Sequence, residues 1–115
     1  MITLKVSRSA VGQITRFQMT GHAESGPYGY DLVCAGASAV AFGSLNALEQ
    51  LTKSHPDVKQ KAAGGFLECC FSDTLGADQD KAQLILEAML ISMRTIERSY
   101  GKYLRIIDKG GVDLA

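Results

Sequence analysis

The 115-residue sequence predicts an α+β fold in which two helices pack on one mostly antiparallel sheet, in the order ββαββαβ. Three observations carry that expectation. Short stretches alternate apolar and polar residues with a period of two. Two long stretches repeat apolar residues at spacings of three and four. Glycine and proline clusters separate them. The length fits one domain over residues 1–115, with about 109–115 expected as a frayed tail. A chain of this size can bury a core without a disulfide or metal staple.

Ile2, Leu4 and Val6 alternate with Thr3, Lys5 and Ser7, which reads as a half-buried strand. Gly12 marks a turn, and residues 14–20 read as a second strand with Phe17 and Met19 on one face. The two are expected to form an antiparallel hairpin. Residues 23–30, broken by Gly26, Pro27 and Gly29, read as a loop. Asp31 is an N-cap residue whose carboxylate can accept from the exposed amides of the following turn.

A helix then runs to about Lys53, its apolar stripe drawn from Val33, Ala37, Val40, Ala41, Leu45, Leu48 and Leu51. Small residues crowd its start, and an interior Gly36 costs roughly 1 kcal/mol of helix stability. That cost makes sense where something approaches the backbone closely. His55-Pro56-Asp57 ends the helix. Residues 58–61 read as a short polar strand, Gly64-Gly65 as a hairpin turn and residues 66–72 as a strand. Leu67, Cys69 and Phe71 share one face of that strand. The second helix spans about residues 78–100. Leu84, Leu90 and Ile91 make its stripe wider than a surface helix needs, which suggests cover by a partner subunit. Residues 103–107 read as the last strand.

Composition narrows the function. The chain is 46% hydrophobic and 21% charged, so a globular protein is expected. A formal net charge of +0 argues against a binder that relies on a basic surface to neutralise phosphates, so no direct nucleic-acid binding is expected. No run of about 18 apolar residues is present, so no membrane span is expected. The opening MITLKVSRSA lacks the basic and apolar regions of a secretory signal. Three cysteines, two of them adjacent, do not suggest a disulfide framework and fit a reducing cytoplasm.

The chemistry concentrates between Gly21 and Ser38. Cys34 falls in the first turn of a helix, where exposed amides and the macrodipole favour a thiolate. Taken alone, without that position, it reads as a small buried hydrophobe. His22 stands just beyond a strand end, as a general base for Cys34 if the two meet, or as a plain loop histidine. A metal site has poor support, because neither C-x-x-C nor H-x-x-x-H spacing occurs. Cys69 and Cys70, neighbours in a strand, point to opposite faces, Cys69 to the core. His55 reads as a surface residue. The glycines form neither a dinucleotide fingerprint nor a P-loop, and no cofactor is expected.

G-H-A at Gly21–Ala23, G-x-D at Gly29–Asp31 and V-C-A-G-A-S at Val33–Ser38 resemble the ribosomal-processing cysteine proteases (Prp) of bacteria. The resemblance extends over nearly the whole chain. It implies a cytoplasmic, homodimeric cysteine endopeptidase. Its substrate would be the large-subunit ribosomal protein L twenty-seven, whose short N-terminal extension is removed after a hydrophobic, Phe-containing segment. It further implies that His22 and Cys34 are the catalytic pair, that Asp31 and Ser38 support the site, and that Gly21 is a hinge for the loop. On that reading the amides of Ala35 and Gly36 are candidate oxyanion donors. Tyr28, Tyr30 and Leu32 are candidate apolar walls, and residues 23–30 would close over the peptide. Two rivals remain: a non-catalytic ribosome-assembly factor that binds the same ribosomal protein, and a small acyltransferase or thiol hydrolase using the same pair.

Overall fold

The computed structural model describes residues 1–22, 31–61, 64–71 and 77–109. Strands β1 (Ile2–Arg8) and β2 (Ile14–Thr20) precede helix α1 (Leu32–Leu51). Strands β3 (Asp57–Gln60) and β4 (Phe66–Cys70), helix α2 (Ala77–Tyr100) and strand β5 (Leu104–Asp108) follow. The expected order and the α+β class are what the structure shows. The five strands lie in the order β3-β4-β2-β1-β5. Three pairings are antiparallel, and β5 joins β1 in parallel after the α2 crossover. The expected frayed tail falls outside the described residues, apart from Lys109.

One face of the sheet is apolar, and both helices cover it. Ile2, Leu4 and Val6 of β1, Phe17 of β2, Leu67 and Cys69 of β4 and Leu104 of β5 all point there and are buried. They form one core with Val33, Ala37, Ala41, Leu45 and Leu48 of α1 and Ala82, Leu86, Met89, Leu90 and Met93 of α2. The opposite face carries Lys5, Gln18 and Glu68, with a Gln18–Glu68 hydrogen bond of 3.0 Å. Period-two alternation therefore sorts the strands as read, and Cys69 and Cys70 part as expected, the first buried and the second half-buried.

The alternation breaks once. Ser7 pairs with Arg16 but Arg8 pairs with Ile14, so Thr15 is an extra residue on β2. This bulge turns Ile14 back to the core side already occupied by Phe17. Ile14 keeps Arg8 as its strand partner, and its backbone amide and carbonyl both bond the Gln83 side chain of α2. Gln83 Oε1 accepts from the Ile14 amide at 2.7 Å, and Gln83 Nε2 donates to the Ile14 carbonyl at 2.9 Å. Helix and sheet are thus pinned by one amide at the place where the ladder is irregular.

Strand limits move by a residue or two from those expected. Strand β3 stops at Gln60, because Lys61 is already in the turn: its carbonyl accepts from the Gly64 amide at 3.0 Å. Strand β5 extends to Asp108, which pairs with Val6 and accepts from Arg8. In α1, Thr52 closes the helix, its hydroxyl and amide both donating to the Leu48 carbonyl. By length and composition α1 could cross a membrane, against the expectation from its lack of a continuous apolar run. Its hydropathy comes from alanines and leucines interspersed with Ser, Gly and Asn. One stripe of it is built into the core.

The wide stripe of α2 divides. Leu90 enters the core at 4% exposure, whereas Leu84 and Ile91, seven residues apart on one helical face, are 72% and 66% exposed. Beside that face, Arg8 ties three elements together. Its guanidinium donates to Glu87 of α2 and to Asp108 of β5, and those two carboxylates raise its already high pKa. The Arg8 and Asp108 side chains are mostly buried while Glu87 is half exposed, so the pairing with Asp108 carries more of the energy. Replacing Arg8 by Ala is expected to lower stability by about 2 kcal/mol, from the lost charge-assisted bonds to Asp108 and Glu87, with Arg94 still 3.6 Å from Asp108. Urea unfolding of the variant measures it.

Candidate active site

Cys34 is placed by the start of α1. Asp31 caps the helix from extended backbone, and its carboxylate accepts from the Cys34 amide at 2.9 Å. This fixes the backbone of the cysteine while its side chain stays half-buried. Ser38 and Phe42 follow at intervals of four, so the three side chains rise along one face of the helix. All three line a cavity of about 330 Å³.

His22 reaches the same cavity by a different route. The β2–β4 ladder runs from Arg16–Cys70 to Thr20–Phe66, and the Gly21 amide continues it by donating to the Gly65 carbonyl at 2.8 Å. Strict alternation from Phe17 and Met19 would send His22 to the opposite face of the sheet. Gly21 has φ +88°, a left-handed conformation that breaks the alternation. His22 consequently lines the cavity together with Met19 and Cys34. A side chain at Gly21 would also run into the Met1 carbonyl oxygen, so the position excludes one twice over. Opposite it, the Met1 amino group donates to the His22 carbonyl at 2.6 Å, which ties the histidine's backbone to the start of β1.

The remaining walls come from Ile2, Met19, Phe66 and Leu67, with Gln60, Lys61, Gly64 and Gly65 at the β3–β4 turn. Lys61 brings a positive charge, its Nζ lying 5.4 Å from the Phe66 ring centroid. The cavity is thus an apolar cleft with a thiol, an imidazole, a hydroxyl and one cation at its edges. Among the described residues, no three His, Cys, Asp or Glu side chains gather as metal ligands would.

Several expected residues fall elsewhere. Tyr28, Tyr30 and the loop 23–30 lie outside the described residues. Leu32 is 77% exposed and does not line the cavity; the apolar walls are Ile2, Met19, Phe42, Phe66 and Leu67 instead. Phe42 was open to detection, standing eight residues after Cys34 on the same helical face. Phe66 and Leu67 were not, because only the sheet order brings the β3–β4 turn to the site. The Ala35 amide donates to the Asp31 carbonyl at 3.0 Å, the first bond of the helix, so any oxyanion contact from it would be shared. Gly36 faces Ile96 of α2, but a Cβ there would stand 3.9 Å from Ile96 Cδ1, an ordinary contact, so the close approach expected at this glycine is not found. His55 is exposed.

The family model described as cysteine protease Prp matches residues 1–105. The chain belongs to the Prp family of cysteine proteases. The ribosomal processing cysteine protease Prp of Staphylococcus aureus is 45% identical to this Prp chain over 106 residues, 92% of this chain and 97% of the relative. That of Bacillus subtilis is 41% identical over 107 residues, covering 92% and 96%. Two crystal structures of the S. aureus protease share this fold. One, with a covalently linked product peptide, has a TM-score of 0.88 at 44% identity, over 95% of this chain and 100% of that one. The other, with a substrate peptide, has a TM-score of 0.83 at the same identity and coverage.

The cysteines of this Prp chain sit in contrasting surroundings. Burial pushes the Cys69 thiol up to about 12, with the neighbouring Cys70 and Glu68 charges adding to it. Iodoacetamide near neutral pH should therefore modify Cys34 in the native protein and spare Cys69 until denaturant is added, as peptide mass mapping would show. The raised thiol also has a stability consequence. Its folded value lies above the ordinary 9.0, so its contribution is complete below about pH 9 and is lost progressively as the pH climbs toward 12. Cys69→Ala should be less stable than the parent near pH 8 yet decline less between about pH 9 and about pH 10.5, as urea unfolding at each pH would register.

Proposed function

We propose that this chain is a cytoplasmic endopeptidase that removes the short N-terminal extension of the large-subunit ribosomal protein L twenty-seven, with Cys34 as nucleophile and His22 as general base. The observation that carries the reading is that His22 and Cys34, twelve residues apart in sequence, line one apolar cleft. Printed descriptions of the relatives as ribosomal processing proteases, and of solved complexes with substrate and product peptides, support the choice of substrate. The apolar walls suit a hydrophobic, Phe-containing segment next to the cleaved bond.

In this mechanism His22 takes the Cys34 proton and the thiolate attacks the scissile carbonyl. The tetrahedral intermediate collapses as the C–N bond breaks, and the imidazolium gives its proton to the departing amine. The acyl group is left as a thioester on Cys34. A water, deprotonated by His22, then attacks the thioester carbonyl, releasing the carboxylate fragment and the thiol. Asp31 acts through the helix cap that orients Cys34, and Ser38 offers its hydroxyl one turn further along the same wall. Gly21, left-handed at φ +88°, is the hinge for the chain that follows it. The exposed Leu84–Ile91 face of α2 is the surface on which two copies meet as a homodimer.

Incubation of the extended ribosomal protein with the enzyme, followed by mass spectrometry, tests the reading. Wild-type protein should release the extension at a single bond. Cys34→Ala and His22→Ala should reduce cleavage to background while keeping the parent's circular dichroism and melting temperature. Full cleavage by Cys34→Ala would sink the mechanism, and binding without cleavage by the wild type would favour an assembly factor.

A further inference from the structure

One side of the His22 ring is occupied by backbone. The imidazole lies on the β3–β4 turn, where Gly64 and Gly65 have φ +81° and +77°. A Cβ at Gly65 would stand 2.8 Å from His22 Nε2, 3.4 Å from Cδ2 and 3.5 Å from Cε1. The first of these is closer than non-bonded atoms approach, and three ring atoms on one side show that the ring lies across the α-carbon. The Gly65 carbonyl meanwhile accepts from the Gly21 amide at 2.8 Å, so the surface under the ring is locked to the residue that precedes it.

We propose that Gly65 is a positioning residue for His22: its bare α-carbon is the seat that holds the imidazole at the depth in the cleft needed to meet Cys34. The proposal rests on the assignment of His22 as general base. Any side chain at position 65 lifts the ring. The ring is the movable partner, so the loss appears in proton transfer more than in folding. A displacement of about an ångström at a reacting group can cost about a hundredfold in rate.

Gly12 provides a matched control. It too is left-handed, at φ +87°, but a Cβ there meets nothing within 4 Å, and it lies in the β1–β2 turn away from the cleft. An alanine at either position therefore meets similar backbone strain, and only one of them touches His22. The test compares Gly65→Ala, Gly12→Ala and His22→Ala on a peptide spanning the cleaved segment of the ribosomal protein. Gly65→Ala should lower kcat about tenfold or more with KM within about twofold, while Gly12→Ala keeps the parent kcat. In the wild-type protein, NMR should show cross-relaxation between the His22 ring protons and the Gly65 α-protons. Absence of that contact overturns the proposal even if Gly65→Ala does not fold. Parent kcat in Gly65→Ala, or equal losses in both glycine variants, overturns it while leaving an inactive His22→Ala to uphold the general base. Normal cleavage by His22→Ala overturns the base assignment, and the positioning role with it.

Discussion

The pairing of β2 with β4 is the constraint on which the site depends. Its register sets Thr20 opposite Phe66 and delivers Gly21 to Gly65. Everything that places His22 follows from there: the left-handed turn at Gly21 that returns the side chain to the cleft, and the glycine surface beneath the ring. A slip of one residue in that ladder would exchange the faces of β4, exposing Leu67 and Cys69 and burying Glu68. The same buried side chains that stabilise the sheet therefore determine where the histidine stands.

Helix α1 serves both the core and the chemistry. One stripe, from Val33 to Leu48, closes the core, while Cys34, Ser38 and Phe42 face the cleft. These faces are separated by one residue in the first turn, which is why the cap matters. Asp31 holds the Cys34 amide, and any rotation of that turn would trade Cys34 for its buried neighbour. Burial explains the difference among the thiols as well. Cys69 is sealed in the sheet and resists ionisation, whereas Cys34 stands at a helix start beside a cavity.

Much of the fold was legible in the residues. Period-two alternation found both N-terminal strands, the spacing of three and four found both helices, and Gly64-Gly65 found the turn between β3 and β4. The Thr15 bulge was not legible, since it is defined by its partner strand and secured by Gln83 from a helix about seventy residues later. Nor could the pattern divide the broad stripe of α2, where Leu90 is core and Leu84 and Ile91 are not. Apolar residues on adjoining helical faces look alike until their neighbours are known.

The candidate site divides along the same line. By itself the sequence determined the local chemistry: a thiol behind an N-cap, a histidine at a strand end, and glycines that mark the turns. Those features depend on residues within a few positions of each other, so local spacing reveals them. Only the tertiary structure decided that His22 and Cys34 share a cleft, that Phe66 and Lys61 wall it, and that Leu32 does not. These are contacts between elements far apart in the chain. They are set by strand order and by the side of the sheet on which the helices pack, and no short-range spacing encodes either.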